Sequence, residues 1–360
     1  MLTAIIFIII LGVLVLVHEA GHFVMAKRAG MRVDEFGFGF PPKLFSITRG
    51  ETRYSINLIP FGGFVKIMGE DGEERETPRS FTSKSAGSRA LVIAAGVLMN
   101  LALAIVLLSF ANLAGLRVGL TDADISKAQN TKVQIIQVDA DSPAAAAGLQ
   151  VLDEIVGFNE NGAALETKSV EQVQNFIKAN KGREITLEIR NGTEIRQIKV
   201  TPRLDPPPEQ GALGISLALT GIIRYPWYEA IYRGVENTYY LAVNTAIGYG
   251  TIIKNLFIHG NAGVALSGPV GIAVITGQAA KLGFTYLMQF TALISVNLAI
   301  LNVIPFPALD GGRLLFLAIE KIRRRPIAKK VEGMANAIGF GLLILLMVYV
   351  TSKDVINLFK

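Results

Sequence analysis

The chain has 360 residues, of which 51% are apolar and only 18% charged, with a formal net charge of +6. Soluble domains carry about a quarter charged residues. This balance, with a mean hydropathy of +0.44, excludes disorder and predicts several membrane spans. The absence of cysteine excludes disulfides, thiolate metal ligands and a cysteine nucleophile. The excess of Lys and Arg then reads as cytosolic loops of a membrane protein. Nucleic acid is not an expected partner, because no basic helix or aromatic-basic motif accompanies the charge.

A bilayer crossing needs about 20 mostly apolar residues, and four stretches qualify: Leu2–Ala26, Ala90–Ala111, Leu287–Ala308 and Met334–Val350. The first has no basic segment ahead of it and no small-residue cleavage site, so it is expected as a retained helix, not a signal peptide. Between the first two spans, Phe45, Ile47, Tyr54, Ile56 and Leu58 alternate around a turn at Arg49-Gly50. That pattern predicts a β-hairpin over Leu44–Met68, followed by an acidic solvated loop from Glu70 to Glu76. From Val118 to Arg203 the composition turns soluble, with strand-like runs at Val133–Val138, Ile185–Ile189 and Ile195–Val200 around a helix-like Val170–Ala179. Pro206-Pro207-Pro208 reads as a stiff linker. The aromatic but charge-broken stretch Trp227–Phe257 is expected to lie at the membrane interface, and Ser267-Gly268-Pro269-Val270-Gly271 as a turn.

The expected organisation is therefore a polytopic α-helical membrane protein with about four transmembrane helices, a membrane-associated β element and an inserted α+β domain. Residues 1–117 hold the first two spans, 118–203 the small domain, 204–286 a linker with the interfacial segment, and 287–360 the last two spans. Arg313, Lys321, Arg323, Arg324, Arg325, Lys329 and Lys330 crowd the short loop between the last two spans, and Lys27, Arg28 and Arg32 follow the first. Short basic loops stay in the cytosol. An even span count then places both termini and the 118–203 domain on the opposite side.

His18-Glu19-Ala20-Gly21-His22 matches H-E-x-x-H. On a helix, positions i and i+4 share a face, so both imidazoles can reach one metal ion while the glutamate sits beside a water. The motif uses two of the three histidines and sits in an apolar span, where ionisable residues are costly and mark function. His259, alone in a loop-like stretch, reads as a surface or interface residue. Asp310 follows a charge-free run, Asn302-Val303-Ile304-Pro305-Phe306-Pro307-Ala308-Leu309. The prolines break the helix there, which a membrane tolerates only in a protein-lined cavity. Both Asp310 and the histidines lie toward the expected cytosolic side, so they can meet; the alternative is an aspartate that simply caps the next helix.

His18-Glu19-x-x-His22 in a first span, with Asn302-x-x-Pro305-x-Pro307-x-Leu309-Asp310-Gly311 in a later one, resembles the site-2 protease family of intramembrane zinc metalloproteases. The arrangement is most similar to the bacterial regulated-intramembrane-proteolysis branch that carries an extracytoplasmic PDZ domain. The resemblance covers nearly the whole chain. It implies a Zn2+ held by His18, His22 and Asp310, with Glu19 as catalytic base. Gly96-x-x-x-Asn100 matches the family's small-xxx-polar packing motif, and Asn297 and Asn302 match polar residues near the substrate. The β element resembles one beside the family's active site, with Gly37-Phe38-Gly39 allowing close backbone approach. Ser142-Pro143-Ala144, Ala147-Gly148-Leu149 and Asp153-Glu154-Ile155 resemble a PDZ pattern, although Leu152 stands where glycine is usual.

The implied activity is hydrolysis of a peptide bond within the transmembrane segment of single-span membrane proteins. Such substrates would be cut beforehand by another protease, as with a pre-trimmed anti-sigma factor, or would be signal-peptide remnants. The implied location is the cell (inner) membrane, multi-pass, with the active site toward the cytosol. Two other classes compete: a non-enzymatic PDZ-bearing scaffold with a structural metal, and a transporter. A structural site would be closed by four protein ligands, and a transporter would show an inverted repeat; the sequence displays neither.

Overall fold

The computed structural model describes residues 2–70, 77–122, 124–160, 163–192, 194–207, 210–260, 268–325 and 327–358. Most of the expected acidic loop (71–76), Pro208 and Ser267 lie outside the described residues. The chain forms two compact units, Met1–Ala111 with Glu229–Lys360, and Asn112–Tyr228.

The first unit opens with helix α1 (Leu2–Arg28), an apolar run closed by Lys27 and Arg28, cations that suit the negative end of a helix dipole. Strands β1 (Val33–Arg49) and β2 (Thr52–Ile67) follow, and then helix α2 (Ala86–Ala114). The expected hairpin is larger and more folded than its alternation suggests. Both strands bend, so Val33–Phe38 pairs with 63–67 on one side and with 53–56 on the other, while 43–49 pairs with 52–57. The result is a curled antiparallel sheet with 63–67 on one margin. A two-stranded ribbon is only marginally stable by itself. Here its base is fixed by a cluster of Ala26, Met31, Val33, Ile67, Phe81, Val92 and Ile93 and by Phe23 packed against Phe36 and Tyr54. At the turn, Glu51 receives Lys27 and Arg79, each at 2.6 Å. The Arg79 and Lys27 hydrogen bonds hold its carboxyl down to about 2.

The second unit is a seven-stranded antiparallel sheet. Its elements are β3 (Leu116–Gly119), β4 (Gln129–Val138), α3 (Pro143–Ala146), β5 (Glu154–Glu160), β6 (Ala163–Glu166), α4 (Val170–Ala179), β7 (Ile185–Asn191), β8 (Glu194–Val200) and β9 (Ile215–Ile223). The strand order is β3-β9-β4-β5-β7-β8, with β6 on β5. The Oγ atoms of Ser142 and Ser169 cap α3 and α4 by accepting from the amides of Ala145 and Gln172. The compact unit is wider than the expected 118–203. The stretch beyond Arg203, expected as linker, contains β9, which lies between β3 and β4 in the sheet. Its apolar residues alternate at Ile215, Leu217 and Leu219, but only over a short run.

Leu152 is held at φ +73°, the left-handed conformation that glycine takes freely and a branched side chain takes at a cost. Fully buried Asp153 compensates. It accepts from the amide of Gln150 (3.0 Å), from Asn191 Nδ2 (2.6 Å) and from Arg196 (3.0 Å).

The chain then returns to the first unit through α5 (Trp227–His259), α6 (Pro269–Leu282), α7 (Phe284–Val303), α8 (Asp310–Arg323) and α9 (Lys329–Leu358). The expected turn at Gly268–Gly271 is instead the start of α6, where Pro269 occupies the first helical turn and needs no backbone donor. Five described helices (α1, α2, α5, α7, α9) are long and apolar enough to cross a membrane, one more than expected. The fifth, α5, has the lowest mean hydropathy of the set. Counting spans therefore no longer fixes the relation of the termini, but helix contacts bear on it directly. Gly277 of α6 lies against Thr3 at the start of α1, and the Gly271 amide donates to Asp354 near the end of α9 (2.7 Å).

Candidate metal centre

His18 and His22 follow the apolar turns of α1 on one face, and Asp310 is the first residue of α8. The predicted break is present: α7 stops at Val303, and Ala308 takes φ +74° before α8 begins. Gly311 and Gly312 permit this fold-back, since a methyl group on either would strike the backbone of residues 303–307. From α9, Asn336 Oδ1 accepts from the Ala308 amide at 3.1 Å. Asp310 does not cap its helix. Its Oδ2 turns inward to His18 Nε2 (3.1 Å) and His22 Nε2 (3.4 Å), and the two Nε2 atoms are 3.2 Å apart.

This triangle fits the expected ion. With Zn–N and Zn–O bonds of about 2.0–2.1 Å, the edges of a zinc tetrahedron are about 3.3 Å, close to all three distances. Among the described residues these are the histidine, aspartate and glutamate groups that gather in this way. Asp310 Oδ2 is buried without a hydrogen-bond donor, as an atom that faces a cation would be. His22 is oriented from behind, because its Nδ1 meets the Val92 carbonyl at 2.8 Å. A carbonyl only accepts, so the proton sits on Nδ1 and Nε2 keeps its lone pair.

Space for the imidazoles is made by α2. A methyl group at Gly96 would lie 2.5 Å from His22 Nε2 and 2.6 Å from His18 Cε1. Gly21 meets the Ala95 backbone in the same crossing. The centre opens into a cavity of about 300 Å³. Glu19, Gly63, Phe64, Glu70 and Arg313 line it with the three candidate ligands, and Arg313 pairs with Glu70. A methyl group at Gly63 would sit 3.0 Å from Glu19 Cγ, so the 63–67 margin of the sheet runs directly beside the glutamate.

The other expected positions fall further out. Gly37 lies in the inner strand against Phe64 and Ser55, and Gly39, at φ +81°, lies against Ile59 and Asn57. Between them Phe38 packs on Gly12 of α1, so their close approach serves the sheet and its seat on α1. Asn297 accepts from the Tyr249 hydroxyl (2.8 Å) and donates to the Leu293 carbonyl (2.8 Å). Asn302 sits in the last turn of α7, and His259 is an exposed terminal residue of α5. Arg313, expected only as one of the basic residues of a loop, lies instead in α8, one helical turn beyond Asp310, and lines the cavity. Val92 contributes only a backbone carbonyl and leaves no residue signature.

The site chemistry and the known relatives converge on one class, the zinc metalloproteases. The pattern of Peptidase family M50 matches residues 6–346. The chain is 32% identical to the zinc metalloprotease RasP of Oceanobacillus iheyensis, with all of both chains covered. It is 35% identical to a putative zinc metalloprotease of Clostridium perfringens over 95% of each. It is 32% identical to the regulator of sigma-W protease RasP of Bacillus subtilis over 99% of each. The chain belongs to peptidase family M50, the site-2 protease family, and is a membrane zinc metalloprotease of the regulated-intramembrane-proteolysis branch. Scaffold and transporter are set aside by this membership.

Proposed function

We propose that the chain cuts a peptide bond inside the transmembrane segment of single-span membrane proteins, with His18, His22 and Asp310 as the zinc ligands and Glu19 as the base. The observation that carries the reading is the Nε2–Nε2–Oδ2 triangle, built at the basic end of a helix long and apolar enough to span a membrane. When bound, zinc supplies a Lewis acid that polarises the scissile carbonyl and acidifies water. Glu19 takes a proton from that water and delivers it to the leaving nitrogen. The Arg313–Glu70 pair keeps one wall of the cavity polar and Glu70 in place.

A helical substrate hides its peptide bonds in hydrogen bonds, so it must unwind before attack. The 63–67 margin offers an unwound segment backbone partners, in the manner of strand addition. The outer part of the sheet exposes Phe40, Leu44, Phe45, Ile47, Ile56 and Leu58, a surface suited to lipid and costly in water. Gly37, Gly39, Asn297 and Asn302 belong to the outer surroundings of the substrate in this reading.

The basic loops put the metal end of the first unit in the cytosol. The contacts of α6 with Thr3 and Asp354 support both termini on the far side, with α5 lying at the interface. We read Asn112–Tyr228 as an extracytoplasmic PDZ-like domain that screens substrates by size, so that trimming by another protease precedes cleavage. The name of the Bacillus subtilis relative suggests an anti-sigma factor among such substrates, and signal-peptide remnants share the same chemistry. Co-expression with a panel of single-span membrane proteins tests the proposal. Wild type should cut a subset, and Glu19→Gln should cut none while retaining zinc. Equal cleavage by both would overturn it.

A further inference from the structure

Asn100 lies one helical turn beyond Gly96 on α2, on the same face, and is 1% exposed. Its backbone is pinned to α7, because Ser295 Oγ donates to the Asn100 carbonyl at 2.8 Å. Its side chain reaches the metal centre from behind: Nδ2 is 3.4 Å from His18 Nδ1. On the other side of the same amide, Oδ1 is buried with no hydrogen-bond partner among the described residues.

This orientation carries a conflict. An amide nitrogen only donates, so it asks His18 Nδ1 to be the acceptor and moves the ring proton to Nε2. That is the atom facing Asp310 Oδ2 at 3.1 Å and His22 Nε2 at 3.2 Å, and a protonated Nε2 cannot ligate. A half-turn of the amide exchanges nitrogen for oxygen and removes the tautomer conflict, with Nδ2 taking the place that Oδ1 held. Oδ1 gains the Nδ1–H donor, and Nε2 recovers its lone pair. Side-chain oxygen and nitrogen are nearly equal in shape, so the cavity accepts either orientation.

We propose that Asn100 is a positioning residue: its Oδ1 accepts the Nδ1–H of His18 and fixes the tautomer whose Nε2 faces zinc. It does for His18 what the Val92 carbonyl does for His22. The inference rests on the reading of His18 as a ligand.

The test is zinc affinity of the full-length chain in detergent, by competition with a chelator, for wild type, Asn100→Leu, Asn100→Asp and His18→Leu. Removing such an outer partner typically weakens metal binding about 10- to 100-fold. That loss is expected for Asn100→Leu, which keeps the volume, with near wild-type affinity in Asn100→Asp, which keeps the acceptor. In the zinc-loaded wild type, nitrogen-15 spectra of the imidazoles should place the His18 proton on Nδ1. Wild-type affinity in Asn100→Leu, with loss in His18→Leu, would overturn the proposal and leave His18 a ligand. Equal weakening in Asn100→Leu and Asn100→Asp would reduce Asn100 to packing and also overturn it. Wild-type affinity in His18→Leu would refute the ligand reading itself, and the proposal with it. An Nε2 proton on His18 in the zinc-loaded chain contradicts it directly.

Discussion

Around His18 and His22 helices approach through glycine, whereas within Asn112–Tyr228 the sheet is closed by large buried side chains. At the metal centre Gly21, Gly96, Gly311 and Gly312 let backbone pass close to backbone or ring, and the interior they create holds polar atoms. In the sheet unit Ile135, Leu187, Ile189 and Leu213 are fully or almost fully buried, and they join one continuous apolar core. The first region has little apolar area to gain from packing, because its outer surface is itself apolar: Leu2, Ile9, Leu98 and Phe110 remain exposed. Its order comes from small residues and satisfied polar groups, as is usual between membrane helices. The second depends on removing apolar surface from water. The two regions should therefore fail in different ways when altered.

The largest effect is expected at Gly96. Replacing it with valine drives carbon into both imidazoles, so zinc binding should fall by two orders of magnitude or more, about 3 kcal/mol, measured by metal content after dialysis. Melting of the sheet unit should not change. The reciprocal change is Leu187→Ala. It deletes a fully buried side chain, should cost the unit about 2–5 kcal/mol in denaturant unfolding, and should leave zinc content intact. Loss of zinc in Leu187→Ala would erase the distinction between the regions. A smaller effect is expected at Leu152, which occupies a glycine conformation. Leu152→Gly should relieve strain and stabilise the unit by up to about 1 kcal/mol, read from the same unfolding curves.

Glu51 should have the smallest effect. Its carboxyl is held down to about 2 by Arg79 and Lys27, below an unfolded value near 4.5. Its contribution is therefore present above pH 4.5 and lost as pH falls toward 2. Glu51 is solvent-exposed, so screening keeps the contribution small. Acid titration of wild type against Glu51→Gln should show a slight wild-type advantage above pH 4.5 that vanishes near pH 2.

Much of the site was legible because its chemistry is local. H-E-x-x-H declares itself on five helical positions, and the Pro305 and Pro307 break announced that Asp310 begins something new. What was hidden depends on tertiary approach. The Val92 carbonyl has no side-chain signature, and Gly63 becomes important only because the sheet bends at Phe40–Pro42 and Ile59–Gly62 to bring 63–67 beside Glu19. The sheet unit was legible in its alternating strands, but β9 was missed because its place in the sheet, between β3 and β4, joins strands far away in sequence. α5 was read as too charged to span. It packs on α2 where Gly234 meets Ser109 and Ile105, and on α7 where Tyr249 donates to Asn297, contacts that no window of hydropathy contains.

The account stands on the ligand set, and X-ray absorption at the zinc edge tests that most directly. In the full chain without cysteine, zinc should be four-coordinate with only nitrogen and oxygen neighbours at about 2.0–2.1 Å. Two of those neighbours should carry the outer-shell scattering of imidazole rings, and the pattern should be lost or rebuilt in Asp310→Ala. A spectrum with fewer than two imidazoles, or one unchanged in Asp310→Ala, would contradict the assignment of His18, His22 and Asp310.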